Sequence, residues 1–192
     1  MFQRKTQNRA RHRQRDAVQE LDKIRAPLLG QLDTLLQDRD YYKGRPSHRC
    51  CTRESNQMRI SPLEAQAIAD AFQTDSRLRE KLPEVLERLR AELPRLRNND
   101  ERQSFDCPLL DGTQCLVHHK AKPIGCTAWH PREHDDEDNY TRQGWKAFEK
   151  RDILNDRFHG PDWKLRVIPL WLKRVFARQL NKLERNLRRT ET

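Results

Sequence analysis

The sequence predicts a mainly α-helical fold, in which long N- and C-terminal helices flank a small helical domain around an irregular, cysteine-rich segment. Apolar residues recur at helical spacing over most of the chain. Proline and glycine interrupt this spacing mainly between residues 105 and 139, where no apolar run is long enough to form a core strand. We therefore expect a basic tail and amphipathic helix at 1–40, a core with two to three helices at 41–139, and basic helices at 140–192.

The first predicted helix spans roughly residues 8–38, because apolar residues follow one of its faces. Pro27 should kink or interrupt this helix, since proline lacks the backbone N–H and clashes with the preceding turn. The apolar face consists of Ala17, Val18, Leu21, Ile24, Leu28, Leu32, Leu35 and Leu36. The following stretch, 41–56, has no helical period and is predicted to be a loop.

Two further helices are predicted before the irregular segment. The run Ser61-Pro62-Leu63-Glu64 is typical of a helix start, with serine as N-cap, proline at the first helical position and glutamate three residues after the serine. Asp75 or Ser76 should begin the next helix, in which Pro83 is expected to cause a break or a restart. Residues 98–106 are predicted to be a polar linker.

Residues 105–139 have no helical period, and Leu116-Val117 is the one short piece that we expect to pair with a neighbouring strand. The acidic run at 135–138 is interpreted as a solvated loop. A short helix is predicted over 143–152. Pro169 should begin the last helix, whose apolar face has basic residues opposite to it.

The chain has 192 residues, of which 34% are hydrophobic, below the about 45–50% apolar content of typical domains. Its net charge of +10 lies at the two ends, because residues 1–15 have a net charge of +6 and residues 164–189 of +8. Such ends could bind phosphate backbones or an acidic protein surface. The alternative interpretation is that they are solvated faces that keep the protein soluble.

Several classes of protein are disfavoured by the sequence. No run approaches the about 18 apolar residues of a membrane span, and no apolar stretch follows the basic start as it would in a secretory signal. We therefore expect a cytoplasmic protein that does not enter a membrane. The six glycines are isolated from one another, which argues against a glycine-rich loop for nucleotide phosphates.

The five cysteines are the most informative residues. All lie in segments predicted to be loops, whereas core cysteines should follow the apolar helix face. Thiolates around a metal would also stabilise a segment that apolar burial does not, so we predict a metal site. An iron–sulfur cluster and zinc both accept four thiolates, and the sequence does not distinguish them. The predicted ligands are Cys50, Cys51, Cys107, Cys115 and Cys126.

Residues 50–131 resemble the YkgJ-type cysteine-cluster proteins, a family described as zinc- or iron-chelating. The resemblance lies in the double cysteine Cys50-Cys51, the helix start at 60–64, and three later pieces in the family's order. These later pieces are Cys107-Pro108-Leu109-Leu110, Gly112 with Cys115, and Lys122-Pro123-Ile124-Gly125-Cys126 followed by Pro131. The resemblance implies a metal centre built from these cysteines.

The chain departs from that family's pattern at several positions. Gly44 and Ser47 stand where the family has two further cysteines, and Lys122 and Thr127 stand where it has arginines. The resemblance therefore implies a site of four thiolates, namely Cys107, Cys115, Cys126 and one of Cys50 or Cys51. His48 could replace a lost thiolate, because a neutral imidazole is a good ligand for zinc or iron. Further candidate ligands are His118, His119 and His130.

Three functions fit these observations. The first is a cytoplasmic protein that holds an iron–sulfur cluster or zinc. The second is a nucleic-acid- or ribosome-associated adaptor, in which the basic ends contact RNA or an acidic protein and the metal is structural. The third is a metal-dependent enzyme or redox carrier, and a nucleophilic pair of Cys126 with His130 is conceivable within it. The sequence names no substrate.

Overall fold

The computed structural model of the protein describes residues 2–37, 48–96, 103–128 and 137–190, without the side chains of 2–11, 137–141 and 190. Eight α-helices and two short antiparallel strand pairs lie in these ranges, which confirms the mainly α-helical fold. No helix in the described part of the chain is both long and apolar enough to cross a membrane. The helices are α1 Phe2–Leu36, α2 Pro62–Thr74, α3 Ser76–Glu92, α4 His118–Ala121, α5 Ile124–Ala128, α6 Glu137–His159, α7 Ile168–Val175 and α8 Ala177–Thr190.

One hydrophobic core joins the elements. Helix α1 packs against α2, α5 and α6, and α2 packs in turn against α3, α4 and α7. Strand β1 (Arg59–Ile60), just before α2, pairs antiparallel with β4 (Arg166–Val167), just before α7. This pairing fastens the C-terminal helices to the entry of α2. Fully buried side chains at the centre of the core include Phe72, Phe105, Phe176, Leu63, Ile68 and Ile124.

Neither proline interrupts its helix, so the interruption expected at Pro27 and the break or restart expected at Pro83 are wrong. Helix α1 runs through Pro27, and α3 runs through Pro83. Each proline removes one backbone hydrogen bond, but buried leucines or valines lie on both sides of it. Leu21 and Leu28 flank the first proline on the core face, and Leu78 and Val85 flank the second. Burial of both halves of each helix in one core offsets the loss of the bond.

Both predicted helix starts are confirmed. The Oγ of Ser61 accepts a hydrogen bond from the backbone N–H of Glu64 at 3.3 Å, and Glu64 Oε2 accepts from the N–H of Ser61 at 2.8 Å. Asp75 is the N-cap of α3, because its Oδ1 accepts from the N–H groups of Arg77 and Leu78.

The irregular segment contains more structure than its sequence predicts. Helices α4 and α5 lie within it, and both are too short to produce a visible helical period. Leu116-Val117 is not a strand. The strand pair of this segment lies earlier in the chain, where β2 (Leu110–Asp111) pairs with β3 (Gln114–Cys115).

Two helix boundaries near the C-terminus also differ from the predictions. Helix α6 extends from Glu137 to His159, so Glu137 and Asp138 of the acidic run lie in a helix and not in a solvated loop. The single last helix predicted from Pro169 is two helices, α7 and α8, which meet at Phe176. Phe176 is buried, and its ring meets that of Phe72 edge to face at 5.6 Å, so the bend places it in the core.

Candidate metal centre

The five cysteines come from three separate stretches of the chain. Cys50 and Cys51 lie in a short 3₁₀ turn at Arg49–Cys51, Cys107 precedes strand β2, Cys115 ends strand β3, and Cys126 lies in helix α5. The expectation that all five lie in loops is therefore wrong for Cys115 and Cys126. We call Cys50, Cys51, Cys107, Cys115 and Cys126 the thiol cluster.

A backbone hydrogen bond brings the first two stretches together. The N–H of Cys107 donates to the carbonyl of Cys51 at 2.8 Å. The Cys107 thiol also interacts with the Cys51 thiol and is the main cause of the shift in its pKa. Cys51 Sγ is 3.8 Å from Cys50 Sγ. Cys51 therefore interacts with both Cys50 and Cys107.

A tight hairpin places Cys115 next to this row. Cys115 is the register partner of Leu110 across β2 and β3, and the N–H of Leu116 donates to the carbonyl of Leu109 at 2.9 Å. The turn between the strands contains Gly112 with a φ of +58°, a backbone conformation that glycine adopts without a steric cost. This turn returns the chain close to Cys107 within eight residues.

Helix α5 positions Cys126. Its first N–H, on Ile124, donates to the buried carboxylate of Glu64 at 2.8 Å. The hydroxyl of Thr127 closes the turn by donating to the carbonyl of Pro123 at 2.7 Å. Gly125 allows a close approach, because a Cβ on it would lie 2.5 Å from Met58 Sδ.

Mutual contact and burial favour the protonated form of Cys50, Cys51, Cys115 and Cys126. The hydrogen bond to Cys51, followed by burial, raises the pKa of Cys50 far above its ordinary range. The hydrogen bond to Cys107 is the main cause that raises the pKa of Cys51 to about 12. Burial is the main cause of the raised pKa of Cys115 and of Cys126.

The same electrostatics show that the thiols are near one another. Negative charge on Cys115, Cys51 or Cys50 would add to the raised pKa of Cys126, so these groups lie within electrostatic range of each other. The Lys122 ammonium acts in the opposite direction and lowers the pKa of Cys50, Cys115 and Cys126. A metal cation among the sulfurs would lower the pKa of the thiols as Lys122 does, and by more.

The residues present fit a thiolate-bound metal. The donor set is soft, as zinc and iron–sulfur clusters prefer. His48 adds a nitrogen, since its Nδ1 is buried and has no hydrogen-bond partner among the described residues. His48 also lines the same cavity, of about 1060 Å³, as Cys50, Cys51 and Cys115.

The spacing of the sulfurs distinguishes two kinds of centre. Tetrahedral zinc with Zn–S bonds of about 2.3 Å holds its sulfurs about 3.8 Å apart. In the described part of the chain, no three donor atoms of the thiol cluster lie within 4.8 Å of one another. The cluster as a whole is thus wider than the shell of one zinc ion, whereas an iron–sulfur cluster spreads its ligands over several irons.

Some residues named from the sequence are not at this centre. His118 and His119 lie in α4 and contact Asp33 of α1, at distances of 2.8 Å and 3.8 Å. Gly44, Ser47, His130 and Pro131 lie outside the described residues. Glu64 was expected only as a helix cap, and its bond to the Cys126 helix is a long-range contact without a sequence signature.

No protein-family model matches the chain, and neither a curated protein nor a solved structure matches it. The resemblance of residues 50–131 to the cysteine-cluster family therefore depends on the motif residues alone.

Proposed function

We propose that this protein is a cytoplasmic metal-binding protein that holds an iron–sulfur cluster or zinc through the thiol cluster. The observation that supports the proposal is the convergence of five thiols from three stretches of chain, joined by the Cys107–Cys51 backbone bond at 2.8 Å. Each ionised thiol raises the cost of ionising its neighbours, so this arrangement disfavours bare thiolates. Around a metal, the same arrangement becomes favourable.

The ligands in this proposal are Cys107, Cys115, Cys126 and one of Cys50 or Cys51. The wide spacing of the sulfurs favours an iron–sulfur cluster over a single zinc ion. Lys122 would stabilise the bound thiolates, because its ammonium favours the ionised form of three of them. An iron–sulfur cluster would supply one-electron transfer here, whereas zinc would supply structural stabilisation.

Chemical labelling of the thiols tests the proposal. Protein purified without oxygen is treated with iodoacetamide, and modified cysteines are identified by mass spectrometry. The matched control is the same protein after metal removal. An oxidant breaks up the metal centre, EDTA binds the released metal, and a phosphine then reduces the cysteines back to thiols. We expect Cys107, Cys115 and Cys126 to react slowly before metal removal and at least about tenfold faster after it. Equal rates in the two samples would mean that burial alone protects the thiols, and the proposal would fail.

A second candidate function, the RNA or acidic-protein adaptor, is favoured by helix α8. Its apolar side is anchored by the buried Leu180, while its other side is basic and exposed. The exposed bases are Arg178, Lys182, Arg185, Arg188 and Arg189. Only one acidic residue, Glu184, lies on this helix.

Salt-dependent binding tests this candidate. A fluorescent single-stranded RNA is titrated with the full chain at several salt concentrations, and then with a variant in which Arg178, Lys182 and Arg185 are glutamine. We expect the logarithm of the affinity to fall with the logarithm of salt, with a slope of about −0.7 for each phosphate contacted, and to fall less steeply in the variant. Absent or salt-independent binding would rule out RNA as the partner.

A further inference from the structure

A second group of ligating side chains lies outside the thiol cluster. Asp33, from the C-terminal half of α1, faces His118 and His119 at the start of α4. His118 Nε2 is 2.8 Å from Asp33 Oδ1, and His119 Nδ1 is 3.8 Å from Asp33 Oδ2. One ligand atom from each of the three residues can be chosen so that all three lie within 4.8 Å of one another.

This geometry suits a first-row divalent metal. Zinc binds imidazole nitrogen and carboxylate oxygen at about 2.0–2.2 Å, which places neighbouring donors in a tetrahedral shell about 3.4 Å apart. The two distances to Asp33 lie on either side of that value. Each oxygen of this carboxylate faces a different imidazole, so only small side-chain movements are needed to close the three ligands around an ion.

The site leaves coordination positions open. Two histidines and one carboxylate supply three ligands, the number typical of catalytic rather than structural metal sites. The His119 side chain is 74% exposed, so an ion held there stays accessible from solution. His118 and His119 also line the cavity that Cys50, Cys51 and Cys115 line.

Lys122 acts on both this group and the thiol cluster, because it contacts His118 and its charge lowers the pKa of Cys50, Cys115 and Cys126. Its Nζ is 3.0 Å from His118 Nδ1, where an ammonium can only donate, so the His118 proton is on Nε2 and is donated to Asp33. If a metal binds Nε2, the proton of the neutral His118 ring lies on Nδ1 instead. This N–H would then face the Lys122 ammonium, which is also a donor. Lys122 must therefore turn away from His118 when a metal binds, and the thiol cluster is the other group that it faces.

We propose that Asp33, His118 and His119 form a second metal site, for a divalent first-row transition metal such as zinc or iron(II), at the edge of the cavity next to the thiol cluster. The two sites differ in donor chemistry, one being nitrogen and oxygen and the other sulfur. The second site does not require that the thiol cluster holds a metal.

Cobalt(II) titration of the full chain, purified anaerobically, tests this proposal, because cobalt reports its ligands. At Asp33, His118 and His119 it should give weak visible ligand-field bands, whereas cobalt bound to thiolate adds a strong near-ultraviolet band. We expect the weak bands to lose at least about tenfold in affinity in Asp33→Asn and in His119→Ala. His159→Ala, which removes an exposed histidine elsewhere, is the matched control and should leave them unchanged.

Lys122→Met separates the two sites. Without the ammonium, His118 Nδ1 is free to carry the proton, so the affinity for cobalt at the second site should rise severalfold. The thiolates lose a favourable charge in the same variant, so any thiolate–cobalt band should weaken. Unchanged affinity in both Asp33→Asn and His119→Ala, or cobalt spectra that contain only thiolate bands, would overturn the proposal. Circular dichroism spectra of each variant show that the fold is retained.

Discussion

The carboxylate of Glu64 accepts a hydrogen bond from the backbone N–H of Ile124 at 2.8 Å, two residues before Cys126. Its other oxygen accepts from the N–H of Ser61 at 2.8 Å, and Arg151 Nη1 lies 3.9 Å away. Glu64 is completely buried. A single buried side chain thus fixes both the start of α2 and the start of the short helix that presents Cys126.

Replacing Glu64 by glutamine should therefore weaken both the fold and the metal centre. The amide has one acceptor oxygen, so either Ser61 or Ile124 would face an N–H₂ donor and lose its partner. An unsatisfied buried group costs about 1–3 kcal/mol. We expect Glu64→Gln to lower the urea midpoint and the metal content together, while the exposed Glu87→Gln changes neither. Wild-type metal content in Glu64→Gln would show that this bond does not position Cys126.

Two glycine-to-alanine changes in helices should differ in their effect. Gly125→Ala places a Cβ 2.5 Å from Met58 Sδ, so the Met58 side chain must shift, and the substitution should stabilise less than Gly30→Ala. Gly30→Ala, in α1, meets nothing within 4 Å and should stabilise by about 0.5–1 kcal/mol. Thermal unfolding measures both changes. In a double-mutant cycle, Gly125→Ala should be more favourable in the Met58→Ala background than in the wild type, and an equal effect in both would mean that the contact is not the cause.

The adjacent cysteines should respond differently to serine substitution. Cys51 interacts with the thiols of both Cys50 and Cys107, and its carbonyl also accepts the Cys107 N–H. We expect Cys51→Ser to lower metal affinity by more than about tenfold, and Cys50→Ser to lower it less. Metal analysis of the purified variants gives the comparison. Equal, negligible effects at both positions would contradict the ligand assignment.

Serine substitution at Cys107, Cys115 or Cys126 should lower metal content and thermal stability together. Cys107 precedes β2, Cys115 ends β3 and Cys126 lies in α5, so the loss of any one thiol removes a link across the centre. The comparison is the thermal midpoint of each variant with and without metal. Variants that unfold earlier yet keep full metal would assign these cysteines a packing role instead.

The N-cap of α3 should make the stability of the protein dependent on acid pH. Backbone hydrogen bonds from Leu78 and Arg77 hold the pKa of Asp75 below its ordinary value of 3.8. A lowered pKa stabilises the fold at pH above 3.8, and this contribution is lost as pH falls through the lower folded-state value. Asp75→Ala should therefore lower the thermal midpoint at neutral pH and have a shrinking effect below pH 3.8. The exposed Asp162→Ala serves as the control, and a pH-independent effect of Asp75→Ala would refute the argument.

Local signatures in the sequence predict the starts of α2 and α3 and their caps, because a cap is set by residues within one turn. Ser61 with Glu64, and Asp75, are found as predicted. The breaks predicted at Pro27 and Pro83 do not occur, since burial on both sides of a proline depends on the whole core. A local rule does not contain that information.

The candidate site was less predictable than the helices. The order of the cysteines suggests a common centre, but it does not predict that Cys51 interacts with both Cys50 and Cys107. The contacts of Asp33 with His118, and of Glu64 with Ile124, join residues 85 and 60 positions apart. Such pairs depend on how α1, α2, α4 and α5 pack, and the periodicity of the sequence does not predict that packing.

Iron, zinc and acid-labile sulfide analysis of the protein purified without oxygen tests the central claim most directly. The account predicts that the folded chain of 192 residues contains bound metal. An iron–sulfur cluster would give a visible thiolate-to-iron absorption band and acid-labile sulfide, whereas a zinc site would give zinc with no such band and no sulfide. Folded protein that contains no iron, zinc or sulfide, even in substoichiometric amounts, would contradict the account.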